Sequence, residues 1–221
     1  MLCVTLWLAT SPAEAERSTP RPIDDGFDAP LAKSAADVNE GSLEFLKIPP
    51  VKQVHHHHNA ITLNRQTLTD GWAALTQCHQ YLDQVGSAQI VFNPERLRGL
   101  SIISHSGMGK AWVENSSVQM QNIGPGAKLC IAAQSRVLYN NGDGSYTMKN
   151  GPFMRKFLDG FYPMHVSMQV KYDGSGLHFE RISPLPQEGL VVLVQNGELN
   201  LDTWFAGKLN TEIRFASTPA P

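Results

Sequence analysis

Met164, Val166, Met168, Val170 and Tyr172 alternate without a break with His165, Ser167, Gln169 and Lys171. A period of two places the first set on one face of an extended chain and the second on the other, which a helix cannot do. The alternation returns near the end, where Leu209, Thr211, Ile213 and Phe215 are set against Asn210, Glu212, Arg214 and Ala216. Weaker versions run through residues 111–121, 127–134 and 177–182. Residues 190–194, Leu-Val-Val-Leu-Val, are apolar throughout, the pattern of a strand covered on both faces. Between the runs stand Gly124-Pro125-Gly126, Asn141-Gly142-Asp143-Gly144, Asp173-Gly174-Ser175-Gly176 and Asn196-Gly197. Asn-Gly and Asp-Gly supply the positive φ angles of tight hairpins. The pattern predicts a mainly β chain, an antiparallel β-sandwich or barrel-like fold with one or two short helices.

Two segments carry the helical expectation. Trp72, Leu75, His79, Leu82 and Val85 recur at helical spacing behind Asp70 as N-cap, which predicts a helix over 70–84. Pro152 as a first helical residue and Gly160 as a stop predict a turn or two of helix over 152–159. Residues 43–48 form a short apolar segment stopped by Pro49-Pro50, expected to pack on the domain as an edge.

The apolar run 2–9, followed by Pro12 and Ala13-Glu14-Ala15, has the form of a signal-peptide core and cleavage site, although no basic residues precede it. The organisation that follows is a signal peptide over 1–15, a flexible linker over 16–42 rich in Pro, Asp, Ser and Ala, a single β-rich domain over 43–216, and a disordered tail over 217–221. The expected location is periplasmic or secreted. Cleavage removes Cys3 and leaves Cys78 and Cys130, which in an oxidising compartment are expected to form a disulfide. No transmembrane segment is expected in the mature chain, because no later apolar run approaches the ~20 residues that span a bilayer. With 18 basic and 20 acidic residues, a net charge of −2 and no long basic run, the composition argues against nucleic acid and anionic membrane as partners.

His55-His56-His57-His58 is the most unusual feature. On a strand, His56 and His58 share a face with Lys52, Ala60, Thr62 and Asn64, whereas His55 and His57 share one with Ile61 and Leu63, so the even pair is expected to be the more accessible. Imidazole suits Cu or Zn, and a native site needs a third ligand. His79, His105, His165 and His178 are the candidates, and the polar-face positions of the last two make His56, His58, His165 and His178 the candidate metal set. A copper site using Met164 and Met168 is disfavoured, since both fall on an apolar strand face as core residues. The segment Ser104 to Lys110 matches neither a Gly-x-Ser-x-Gly elbow nor a phosphate loop and reads as a polar hairpin. Asn141 to Ser145 lacks the carboxylates of a calcium loop and reads as a turn. In Asn150 to Tyr162, either Phe153, Arg155, Lys156, Phe157 and Tyr162 form a partner surface, such as for an envelope protein, or the segment plugs one end of the sandwich with Phe153, Phe157 and Leu158 buried. No motif identifies a reaction. The expected function is that of an exported accessory protein that binds a partner or ligand without catalysis, with metal handling through the histidine cluster as the alternative.

Overall fold

The computed structural model describes residue 39 and residues 41–157 and 160–217. The expected signal peptide, nearly all of the linker and residues 218–221 of the tail lie outside the described residues. The chain is mostly strand, as its alternation predicts. The larger sheet holds nine strands: β1 (Glu44–Phe45), β2 (His56–Thr62), β3 (Trp72–Gln80), β4 (Val85–Val91), β5 (Leu97–Glu114), β6 (Ser117–Arg136), β11 (Met164–Lys171), β13 (Leu190–Gln195) and β14 (Glu198–Ala206). A four-stranded sheet comprises β7 (Leu138–Asn140), β8 (Ser145–Phe153), β12 (Leu177–Ser183) and β15 (Leu209–Ser217). A small hairpin pairs β9 (Arg155–Phe157) with β10 (Gly160–Tyr162). All pairings among the described strands are antiparallel except that of β2 with β11. None of the sheets closes into a barrel.

The inward positions of the two larger sheets meet in one core. Val166, Met168 and Val170 of β11, Leu199, Leu201 and Phe205 of β14 and Ile61 of β2 pack with Met148, Ile213 and Phe215 of the smaller sheet. Strand periodicity therefore orients β11 and β15 as expected, their odd and even positions dividing cleanly between core and surface. Asn196-Gly197 forms the two-residue turn between β13 and β14, both residues at positive φ (51° and 74°). Residues 43–48 do pack as an edge, through β1 against β14.

Four local expectations are corrected. Residues 72–80 of the expected 70–84 helix form strand β3. The only helix among the described residues is α1 (Arg65–Asp70), capped by Asn64, whose side chain accepts from Thr67 N while the Thr67 hydroxyl accepts from Asn64 N, and ended by Gly71 in the left-handed conformation. Asp70 thus closes a helix instead of opening one. The 152–159 segment is extended where it is described: Pro152 and Phe153 end β8, with Phe153 opposite Leu209, and Arg155 to Phe157 pair as β9 with β10; residues 158 and 159 lie outside the described residues. Residues 190–194 are not covered on both faces: β13 pairs only with β14 and leaves Val191, Leu193 and Val194 exposed. Finally, neither Gly124-Pro125-Gly126 nor residues 104–110 ends a strand; both lie inside the long β5–β6 hairpin.

That hairpin is bent double. Phe92 N–H donates to Ser116 O, and Arg96 O accepts from Arg136 N–H, so the four-residue step from Phe92 to Arg96 links the two ends of β6. Four residues reach at most about 14 Å, whereas a straight strand as long as β6 would measure roughly 65 Å. The bend falls where Gly107 alone opposes residues 124–127, between the pairs Ser106–Lys128 and Met108–Ile123. It encloses a second apolar cluster around Val118, Met120, Ile123, Leu129 and Ile131. Gly107 has φ +70°, and an added Cβ would stand 2.9 Å from Ala127 Cα. Gly107→Val should therefore destabilise the fold by about 1–3 kcal/mol. Urea denaturation should show a lower midpoint at an unchanged slope; a midpoint equal to that of the unaltered protein would place the bend's origin elsewhere.

Candidate functional site

Strand alternation splits the histidine quartet between the two faces of the larger sheet. His55 and His57 point inward with Asn59 and Ile61, and His56 and His58 lie on the outer face. In the β2–β3 register His57 stands opposite His79, and Asn59 opposite Gln77. Asn59, Gln77 and His79 are buried, at 2%, 6% and 4% exposure. This polar block interrupts an otherwise apolar surface, with Val166 and Met168 of β11 on one side and Leu129 and Ile131 of β6 on the other.

The block satisfies its own hydrogen bonds. Gln77 Nε2 donates to His79 Nε2 (2.7 Å), so the single proton of neutral His79 sits on Nδ1 and is donated to His55 Nε2 (2.9 Å). His57 donates from Nε2 to Asn59 Oδ1 (2.9 Å), which leaves its Nδ1 as a lone-pair acceptor. No described residue bonds that nitrogen, and no buried side-chain nitrogen or oxygen among the described residues lacks a partner, so the lone pair opens to accessible space. Burial keeps these rings neutral. It lowers the pKa of His55 to about 4 and of His57 to about 3, and pushes His79 well below the ordinary histidine value.

The space they face is an open cavity of about 720 Å³. Its floor is the polar block, and its walls include Phe92, Leu97, Phe153 and Met164. The end of β4 and the step that joins it to β5 supply the wall from Gln89 to Leu97, and the end of β8 supplies Asn150 to Phe153. The Phe153 ring meets His57 edge to face at 4.9 Å.

Outside, His56, His165 and Trp204 stack in a row across three strands, with ring centroids 3.9 and 4.0 Å apart. His56 Nε2 and His58 Nδ1 both contact Ser167 Oγ (2.7 and 2.8 Å), and His165 Nε2 pairs with Asp202 (2.8 Å). The parallel β2–β11 pairing brings His165 beside His56. Stacked rings turn their faces, not their lone pairs, toward one another. His178 must be removed from the candidate metal set: it lies on the exposed face of β12 in the other sheet, with Leu177 beneath it in the core, so the sandwich separates it from His56. His105 is exposed on β5, with β6 and β3 between it and β2. As they stand, no three His, Cys, Asp or Glu side chains among the described residues form a metal-holding group.

Of the five candidate partner residues, Phe153 is buried and walls the cavity, so it offers no exposed anchor. Arg155 makes a two-pronged ion pair with Asp83, Lys156 is exposed near the Phe161 ring, and Tyr162 is 42% exposed; the Phe157 side chain lies outside the described residues. Alternation had already set His55 and His57 on the apolar face; sequence reasoning missed Asn59, Gln77 and the meeting of these two histidines with His79. Asn59 and Gln77 fall two residues from His57 and His79, a period-two signal present in the chain but hidden by their polarity.

Cys78 and Cys130 form the expected disulfide, directly opposite in the β3–β6 register with Cα atoms 4.1 Å apart.

No family model and no curated protein matches the chain. Among solved structures, the M1 zinc metallopeptidase of Deinococcus radiodurans is similar over 81% of this chain, at 12% identity and a TM-score of 0.37. A single-site mutant of that enzyme gives the same coverage and TM-score at 13% identity. The chain spans 43% of the length of each. Similarity at that level carries nothing about this chain's site.

Proposed function

We propose that this chain is an exported, β-rich binding protein that holds a small ligand in the cavity floored by His57, Asn59, Gln77 and His79, without transforming it. One observation carries the reading: a buried polar block occupies core positions of β2 and β3 and faces an open cavity of about 720 Å³. A pair of buried polar partners can be replaced by apolar groups of the same shape at little loss of stability, so packing alone gives no reason to keep this block. Apolar walls with a few convergent polar groups are the ordinary construction of a ligand pocket. The disulfide supports export, because such bridges persist in oxidising compartments.

The test is native mass spectrometry of protein recovered from its own host, beside a Gln77→Leu/His79→Leu variant. The unaltered protein should retain a small molecule that the variant lacks, while the far-ultraviolet circular dichroism of the two agrees. Equal retention by both, or retention by neither, would overturn the reading. Fractionation of the host should find the protein outside the cytoplasm; a cytoplasmic pool with reduced cysteines would refute export.

A further inference from the structure

We propose that the cavity takes an uncharged cis-amide, a lactam ring whose carbonyl and N–H lie on one edge and bond Asn59 Nδ2 and Gln77 Oε1. The inference rests on the binding-pocket reading and names the class of molecule the pocket holds. Each amide of the floor spends one end on a histidine: Asn59 its oxygen on His57 Nε2 (2.9 Å), and Gln77 its nitrogen on His79 Nε2 (2.7 Å). The opposite ends, a donor on Asn59 and an acceptor on Gln77, bond no described residue. With exposures of only 2% and 6%, both residues nevertheless line the cavity. No buried side-chain nitrogen or oxygen among the described residues is closed off without a partner, so these two ends, like His57 Nδ1, open into that space.

Asn59 and Gln77 stand directly opposite one another in the β2–β3 register. Opposed side chains start from Cβ atoms about 5 Å apart, so the free donor and the free acceptor address one edge of a single small group. That group must offer an acceptor beside a donor. A peptide unit does not, because its carbonyl and N–H point to opposite sides of the trans bond. In a lactam the ring holds the amide cis, the form that an open-chain secondary amide rarely adopts, and both groups point the same way. His57 Nδ1, the third open atom, is a second acceptor and takes a further N–H or hydroxyl of the ligand.

Charge points to the same class. The cavity lining holds no acidic side chain among the described residues and one fixed cation, Arg96, whose Nε donates to Arg136 O (3.4 Å). Burial keeps the floor histidines neutral, so an ion seated on them would lose its hydration without gaining a counter-charge. On the walls, Phe92, Leu97 and Phe153 give the apolar and aromatic surface against which a flat ring packs.

The experiment uses full-length protein and bicyclic probes of nearly equal size, titrated by ligand-observed NMR. They are carbostyril, a benzo-fused lactam; N-methylcarbostyril, which keeps the carbonyl and loses the N–H; naphthalene; and the anion naphthoate. Carbostyril should bind at least about 10-fold tighter than N-methylcarbostyril or naphthalene, because a buried acceptor left without its donor forfeits both the hydrogen bond and its own hydration. Asn59→Leu and Gln77→Leu should each cut that preference to within about threefold, while naphthalene affinity stays within about threefold of the unaltered protein's. Should a variant fail to fold, the comparison of carbostyril with N-methylcarbostyril on the unaltered protein decides alone. Equal binding of carbostyril, N-methylcarbostyril and naphthalene, tightest binding of naphthoate, or a preference that survives both substitutions would overturn the lactam and leave the pocket standing. A molecule retained from the host whose exact mass admits no nitrogen would do the same. Binding of none of the probes would also overturn the lactam, and the pocket reading then stands or falls with the molecule retained from the host.

Discussion

Titration from neutral pH to about pH 4.5 is expected to remove most of this protein's stability, at up to roughly 4 kcal/mol per pH unit. The cause is the inner histidines. Burial depresses His55 to about 4 and His57 to about 3, and holds His79 well below the ordinary histidine value of 6.5. Below that unfolded value the unfolded chain takes up at least three protons that the native state refuses, and outward His56, lowered to about 4 by partial burial and then by neighbouring His165, adds to the effect, so the free energy of the unfolded chain falls relative to the folded form. Each refused proton is worth about 1.4 kcal/mol per pH unit, and a typical domain has only about 5–15 kcal/mol in total. The loss starts as pH drops through the ordinary histidine range and continues down to the depressed values; above that range stability should be flat in this contribution. Asp83, held low chiefly by its hydrogen bond from Arg155, loses that support only at still lower pH. Urea titrations at closely spaced pH values measure the slope. Gln77→Leu/His79→Leu should reduce it by about one proton's worth, near 1.4 kcal/mol per unit. A stability profile flat from neutral pH to about pH 4.5 would show that the rings are not held neutral by burial.

Reduction of the Cys78–Cys130 bridge should lower stability by about 4 kcal/mol, the chain-entropy value for a loop closed across 52 residues. For a chain of this size that corresponds to a fall of about 10 °C in Tm. The bridge clamps β3, which carries Gln77 and His79, to β6, one strand of the bent hairpin, so the cavity floor should loosen along with the fold. Differential scanning calorimetry of Cys78→Ala/Cys130→Ala against the oxidised protein provides the check. A Tm difference under about 2 °C would mean that the β3–β6 ladder already restrains these strands without help from the bridge.

How much of the site could be read beforehand depended on which residues occupied the core face of each strand. On β11 the inward residues are Met164, Val166, Met168 and Val170, and the alternation is plain. On β3 they are Ala73, Leu75, Gln77 and His79, half of them polar. Two polar residues on the core face broke the apolar alternation, and the remaining Trp72, Leu75, His79 and Leu82 then fell at helical spacing by coincidence. The helix that does form was legible in Asn64, Thr67 and Gly71, a cap, its reciprocal partner and a stop. The local pattern failed where the candidate site lies, since a strand that spends core positions on hydrogen-bonding groups cannot also advertise itself by hydrophobic periodicity.

Alternation and turn chemistry are properties of neighbouring residues, and the sequence alone therefore determined the mainly β class, the Asn196-Gly197 hairpin, the division of His55 and His57 from His56 and His58, and the pairing of Cys78 with Cys130. The tertiary structure decided what those residues meet. Only the parallel pairing of β2 with β11 stacks His165 on His56, only the sandwich carries His178 to the far side, and only the doubling of the β5–β6 hairpin, which holds β4 on its first half, carries the end of β4 over His57 and His79 to wall a cavity. Such contacts join segments separated by many tens of residues, and they are selected by burial of the whole core, which no local pattern encodes.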